Sequence, residues 1–118
     1  MFLISDLCQI LESYLDKEGI EKVYKAYLFG AEAHEGQTRM SGEPFIYHPI
    51  AVAKILADMR MDAQTLVAAI LHDVIEDTTV AKEQVAAEFG QEVAEIVDGL
   101  TKLEHIRFNS KDEAKAES

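Results

Sequence analysis

The sequence predicts an all-α fold, a bundle of about six helices, and two observations carry that prediction. Apolar residues recur at three- and four-residue spacing through nearly the whole chain, while no segment of useful length alternates with period two. Glycine and proline break the pattern at a few places and so divide it into separate helices. Each helix carries one apolar stripe that must be buried against a shared core. No internal repeat and no low-complexity linker interrupts the series.

The first helix, within residues 1–18, is read from Ile4, Leu7, Cys8, Leu11 and Leu15, with a stop around Lys17, Glu18 and Gly19. Ile20, Val23, Tyr24, Tyr27, Leu28 and Ala31 continue the period as a second helix running into His34, and Tyr24 and Tyr27 read as core residues with polar tips. Residues 36–45 hold two glycines and a proline among polar residues, the longest irregular stretch before the tail. His48 and Pro49 mark a helix start, because proline suits a first helical turn, and Val52, Ile55, Leu56 and Met59 form the expected buried stripe. A fourth helix from about Ala63 carries Val67, Ile70, Leu71, Val74 and Ile75 and ends near Asp77. Thr78 or Thr79 is the expected cap of the fifth, in which Val85 and Phe89 face inward and Gly90 is the stop. Val93, Ile96, Val97, Leu100 and Leu103 mark a sixth, interrupted only by Gly99. Residues 109–118 have helix propensity but no apolar stripe, so they read as a tail or as the start of a helix whose core-facing part lies further on.

A chain of 118 residues, 48% hydrophobic and 28% charged, supports one domain with a modest core. Eleven Lys and Arg against 22 Asp and Glu give a net charge of −11, which argues against non-specific binding to nucleic acid or to anionic membranes. A phosphate-rich ligand would need a bound cation or a few well-placed basic side chains to reverse the field locally. Cys8 is the single cysteine, so an internal disulfide and a thiolate metal cage are both excluded, and a reducing, cytoplasmic setting is expected. The N-terminus lacks the basic flank and apolar run of a signal peptide, and no stretch approaches the ~20 apolar residues of a membrane span.

The chemistry concentrates in His72, Asp73, Glu76 and Asp77. With ~100° of helical rotation per residue and His72 at zero, Glu76 falls near 40°, Asp73 near 100° and Asp77 near 140°. The apolar residues of the same helix fill the arc from about 160° to 300°. Asp73 therefore meets like charge at both helical neighbour spacings, each costing roughly 0.2–0.5 kcal/mol. The helix C-terminus disfavours each exposed carboxylate by a further ~0.3–1 kcal/mol. A divalent cation would relieve both, and imidazole with carboxylates suits manganese, iron or zinc. A merely solvated acidic face is the plainer alternative. His48 favours the metal, because it starts the preceding helix, and an antiparallel helix pair brings that start near the end of the next. In the segment from Gly36 to Pro44, Arg39 leads toward His48, and its guanidinium suits either stacking on a base or forking onto a phosphate; the alternative is a solvated arginine on a turn. His34 is as well placed to hold the following loop as to touch a ligand, and His105 sits in a surface stretch.

Taken together, the runs Ala33-His34-Glu35-Gly36-Gln37-Thr38-Arg39, Ser41-Gly42-Glu43-Pro44, His48-Pro49, His72-Asp73-Val74-Ile75-Glu76-Asp77 and Val97-Asp98-Gly99-Leu100-Thr101-Lys102-Leu103 resemble the N-terminal HD hydrolase domain of the RelA/SpoT alarmone synthetase/hydrolase family, in its SpoT-like branch. The resemblance covers about residues 20–108. It implies an HD-type helical bundle and a Mn2+-dependent hydrolase that removes the 3′-pyrophosphate from ppGpp or pppGpp, leaving GDP or GTP. Carried over by position, His48, His72 and Asp73 would hold the metal, Glu76 and Asp77 would orient or deprotonate the attacking water, and Arg39 and Ser41 would lie along the guanine, Arg39 stacking on it. The family has a further Asp ligand in a downstream Leu-Ala-Asp-Arg segment that this sequence does not reach, Met40 stands where Lys or a small polar residue is common, and the match thins at Ala116-Glu117-Ser118. The expectation is therefore a truncated domain, incomplete at its C-terminal end, without the family's synthetase and regulatory domains, weak or inactive alone, and open to homodimerisation through exposed apolar surface. The alternatives are an HD-type phosphohydrolase of another nucleotide and a non-catalytic domain that binds nucleotide or a regulatory partner.

Overall fold

A computed structural model describes residues 2–35, 47–77 and 80–103, with the side chains of Tyr47, His48, Asp73, Glu76 and Asp77 outside the described part. Arg39, Ser41, Thr78, Thr79, His105 and the 109–118 tail also lie outside it. The described residues form six helices and no strand: α1 (Ile4–Leu11), α2 (Lys17–Ala33), α3 (Tyr47–Asp58), α4 (Ala63–Asp77), α5 (Lys82–Phe89) and α6 (residues 91–103). None of them is long and apolar enough to cross a membrane.

The bundle is built around α4. Leu66, Val67, Ala68, Ile70, Leu71 and Val74 are all buried, so this helix is enclosed on most sides, as its apolar arc requires. α2 and α3 pack on it, and α1 lies across α3 and α2. α5 and α6 close the α2–α4 side through the edge-to-face pair Phe29 and Phe89, with centroids 5.5 Å apart, and through Gln64, whose amide donates to Glu92 at 3.0 Å. Asp98 of α6 joins α5 through an ion pair with Lys82 at 3.4 Å, and within α6 it also pairs with Lys102 at 3.1 Å.

Several helices differ from the sequence expectation, each for a local reason. α1 ends at Leu11 instead of Leu15, because Asp16 caps a new helix by accepting from the Gly19 N–H at 2.8 Å. Gly19 thus belongs to the first turn of α2 and does not terminate α1. The core face of α2 is Gly19, Val23, Ala26 and Gly30; Tyr24 and Leu28 turn outward, at 45% and 49% exposure. On α3 the buried residues are Pro49, Ile50, Ala53 and Ala57, while Ile55 and Met59 are exposed. Small alanines let α3 approach its neighbours closely, and that choice rotates the buried stripe away from the larger residues. α5 starts later than the threonines suggested: Ala81 is its N-cap, and the Gln84 side chain accepts from the Ala81 N–H at 3.1 Å. Gly90, at φ +99°, ends it as expected.

The α3–α4 connection is specified in detail. Arg60 takes φ +58°. Met61 N–H donates to Leu56 O at 3.1 Å and Arg60 N–H to Ala57 O at 2.9 Å, the paired closure of a helix C-terminus on a left-handed residue. The Arg60 guanidinium lies over the Tyr14 ring, 5.4 Å from its centroid, and the Tyr14 hydroxyl donates to Met61 O at 2.7 Å. Asp62 then caps α4 by accepting from Thr65 N–H at 2.9 Å.

Candidate functional site

The four-residue connection makes α3 and α4 an antiparallel pair. His48 lies ten residues before Asp58 (58 − 48 = 10) and Asp73 ten residues after Ala63 (73 − 63 = 10), so their backbones stand at the same height, about 15 Å from the turn. α2 runs parallel to α4: a Cβ on Gly19 would meet Ala63 Cβ at 3.4 Å, so the two helices begin side by side. Equal rise along both then sets Ala33 about level with Asp77 (33 − 19 = 14; 77 − 63 = 14). Val80, just past α4, shares a hollow of about 210 Å³ with Phe29, Glu32 and Ala33, which fixes the same register at this end.

Three backbone segments therefore finish at one end of the bundle: the C-terminus of α2, the N-terminus of α3 and the last turns of α4. These are the segments that carry or flank His34, His48, His72, Asp73, Glu76 and Asp77.

His72 is the one expected metal ligand whose side chain is described. It is half-buried, with Nε2 closed off from solvent. An imidazole nitrogen turned into the protein on a helix face otherwise made of carboxylate positions is a donor set that fits a borderline or hard divalent ion. Among the described residues no group of three His, Cys, Asp or Glu gathers to hold an ion. The sequence leaves His34 as suited to holding the following loop as to touching a ligand, and in the structure it is 4% exposed with both ring nitrogens buried. The available signal was its spacing, four residues beyond Gly30 on the core face of α2.

A second groove, of about 150 Å³, lies nearer the opposite end, lined by Lys22, Lys25, Gln64, Val67, Glu88, Phe89 and Val93. Lys25 is already engaged there: its Nζ is 3.4 Å from the Glu88 carboxylate, donates to Glu88 O at 2.7 Å and sits 5.0 Å from the Phe89 ring centroid. That groove holds a structural contact, not a free cation for a phosphate.

Comparison with known proteins agrees with this architecture. A family model described as HD domain matches residues 26–118. The guanosine-3′,5′-bis(diphosphate) 3′-pyrophosphohydrolase of Vibrio cholerae serotype O1 is 52% identical over 118 residues, covering all of this chain and 17% of the relative. The bifunctional (p)ppGpp synthase/hydrolase SpoT of Escherichia coli K12 is 50% identical over the same span, again 17% of its length. A Haemophilus influenzae protein named as the same pyrophosphohydrolase is 52% identical over 91 residues, 77% of this chain and 13% of the relative. The chain thus spans about a sixth of the length of the curated relatives it matches. With a helical core that gathers its histidine and carboxylate positions at one end, and a family match over most of its length, the chain belongs to the HD domain family.

Proposed function

We propose that this domain hydrolyses (p)ppGpp at its 3′-pyrophosphate, with a divalent metal held by His48, His72 and Asp73. The observation that carries the reading is the convergence of the α2 end, the α3 start and the last turns of α4, supported by whole-chain similarity to proteins named for this reaction. When bound, the metal, Mn2+ by the family resemblance, supplies electrophilic assistance at the phosphoryl oxygens and neutralises part of the substrate charge.

The chain's own residues have distinct tasks. Glu76 or Asp77 orients the attacking water and takes its proton as the new bond to phosphorus forms. The bond between that phosphorus and the ribose 3′-oxygen breaks, the oxygen leaves with a proton, and GDP or GTP and pyrophosphate are released. Arg39 stacks on the guanine and Ser41 lies along it, which gives selectivity for a guanine nucleotide. An overall charge of −11 is compatible with so anionic a substrate because the field is reversed only where the metal and Arg39 stand. A reducing cytoplasmic setting follows from the same reading.

The test follows GDP release from ppGpp with Mn2+ present, in this chain and in longer forms of the protein, alongside a panel of other nucleotides. His72→Ala and Asp73→Ala are expected to lower turnover by at least a hundredfold. Equal activity in both variants would remove these residues from the mechanism. Preference for another nucleotide would redirect the substrate, and tight ppGpp binding without hydrolysis in the longer forms would make the domain a sensor.

A further inference from the structure

The core face of α2 runs Gly19, Val23, Ala26, Gly30, in steps of four, three and four, and His34 is the next step of four. An apolar side chain would complete that face with no polar atom to satisfy. His34 instead is the one buried polar side chain among the described residues, with both ring nitrogens closed off from solvent. Buried polar atoms are costly unless they are hydrogen-bonded, so an imidazole in this place is a liability for packing and an asset only where its directional bonds matter. The place is specific. Because α2 and α4 start together at Gly19 and Ala63 and run parallel, His34 stands beside the end of α4, next to the Ala33–Val80 hollow.

We propose that His34 is a positioning residue of the candidate site, whose imidazole holds the end of α2 in register with the last turns of α4 and so sets where His72 meets the start of α3. The inference rests on the reading above that this end of the bundle binds a divalent metal. His34 acts through the backbone and side chains of its neighbours, and no contact between it and the ion is required.

Packing and positioning predict opposite orders of variants. If the side chain only fills space, His34→Leu is the best replacement and His34→Gln the worst. If its directional bonds set the site, Leu is harmful and an amide that puts a polar atom near one ring nitrogen recovers function. The experiment titrates the whole chain with Mn2+ alone by calorimetry, for wild type and for His34→Leu, His34→Gln and His34→Asn, and records the melting temperature of each without metal. The expected result is a His34→Leu protein that melts at or above the wild-type temperature yet binds Mn2+ at least tenfold more weakly. At least one of the Gln and Asn variants should return to within about threefold of wild type. Wild-type Mn2+ affinity in His34→Leu, or Gln and Asn variants both as weak as Leu, would overturn the proposal, and so would loss of the fold in all three. A wild-type chain that binds no Mn2+ would overturn the underlying metal reading instead.

Discussion

Asp62 shows how one side chain can fix the start of the central helix. It accepts from the Thr65 N–H, and the hydrogen bonds from Thr65, side chain first and backbone second, hold its carboxyl below the ordinary carboxylate range. A carboxyl lowered in the folded state stabilises the fold above its unfolded pKa, and that contribution is lost as pH falls through the folded value. Asp62→Ala is therefore expected to cost about 1 kcal/mol at neutral pH, the usual loss of an N-cap. Denaturant unfolding of both proteins at neutral and at strongly acidic pH checks this, since the gap between them should shrink in acid. Tyr14, nearby, is affected in the opposite direction: burial, opposed by Arg60 and reinforced by Asp62, pushes its hydroxyl upward, which keeps it protonated and donating to Met61 O. Tyr14→Phe is expected to lose about 1 kcal/mol through that single bond, with the helical circular dichroism unchanged.

At the scale of helices, glycine has two opposite meanings in this chain. Gly99 lies inside α6, where an added Cβ meets nothing within 4 Å. Gly99→Ala should stabilise by about 0.5–1 kcal/mol from helix propensity alone. Gly19 is also helical, but its added Cβ would stand 3.0 Å from the Asp16 cap oxygen and 3.4 Å from Ala63. Gly19→Ala should forfeit that gain or become destabilising, and paired thermal melts of the two variants decide the matter. The contrast explains what could be read from the sequence. α4 was legible because its large apolar residues all share one arc, and α6 because Val93 and Val97 keep the period. The buried face of α3 was not, since alanines carry it while Ile55 and Met59 point outward, and apolar periodicity weighs large residues more than small ones. The α1–α2 boundary was misplaced because a glycine signals a stop by composition, whereas here Asp16 captures it as the third helical residue.

For the whole molecule, the balance is between a modest core and a charge of −11. Self-repulsion of that size predicts that added NaCl raises the melting temperature of the metal-free chain by screening. A specifically bound ion acts by mass action and should do more at far lower concentration: Mn2+ at about a hundred times its Kd would add roughly 2.7 kcal/mol. Asp73→Asn should abolish the Mn2+ increment and keep the NaCl one, a separation visible in a single set of thermal melts. The residues of the candidate site were legible in the sequence as a linear series. The antiparallel return of α3 was part of that reading; what the sequence alone did not supply was the end of α2 at the same place, which depends on α2 and α4 running parallel from Gly19 and Ala63.

The tight turn from Met59 to Asp62 carries a further consequence for insertions and deletions. Removing one residue there would leave both flanking helices intact, yet it would slide His48 past Asp73 by about 1.5 Å and swing it around the axis by about 100°. Such a shortened chain would look native to any spectroscopic count of helix and would still misalign its histidine and aspartate. Length in this turn acts as the gauge of the pair it spaces.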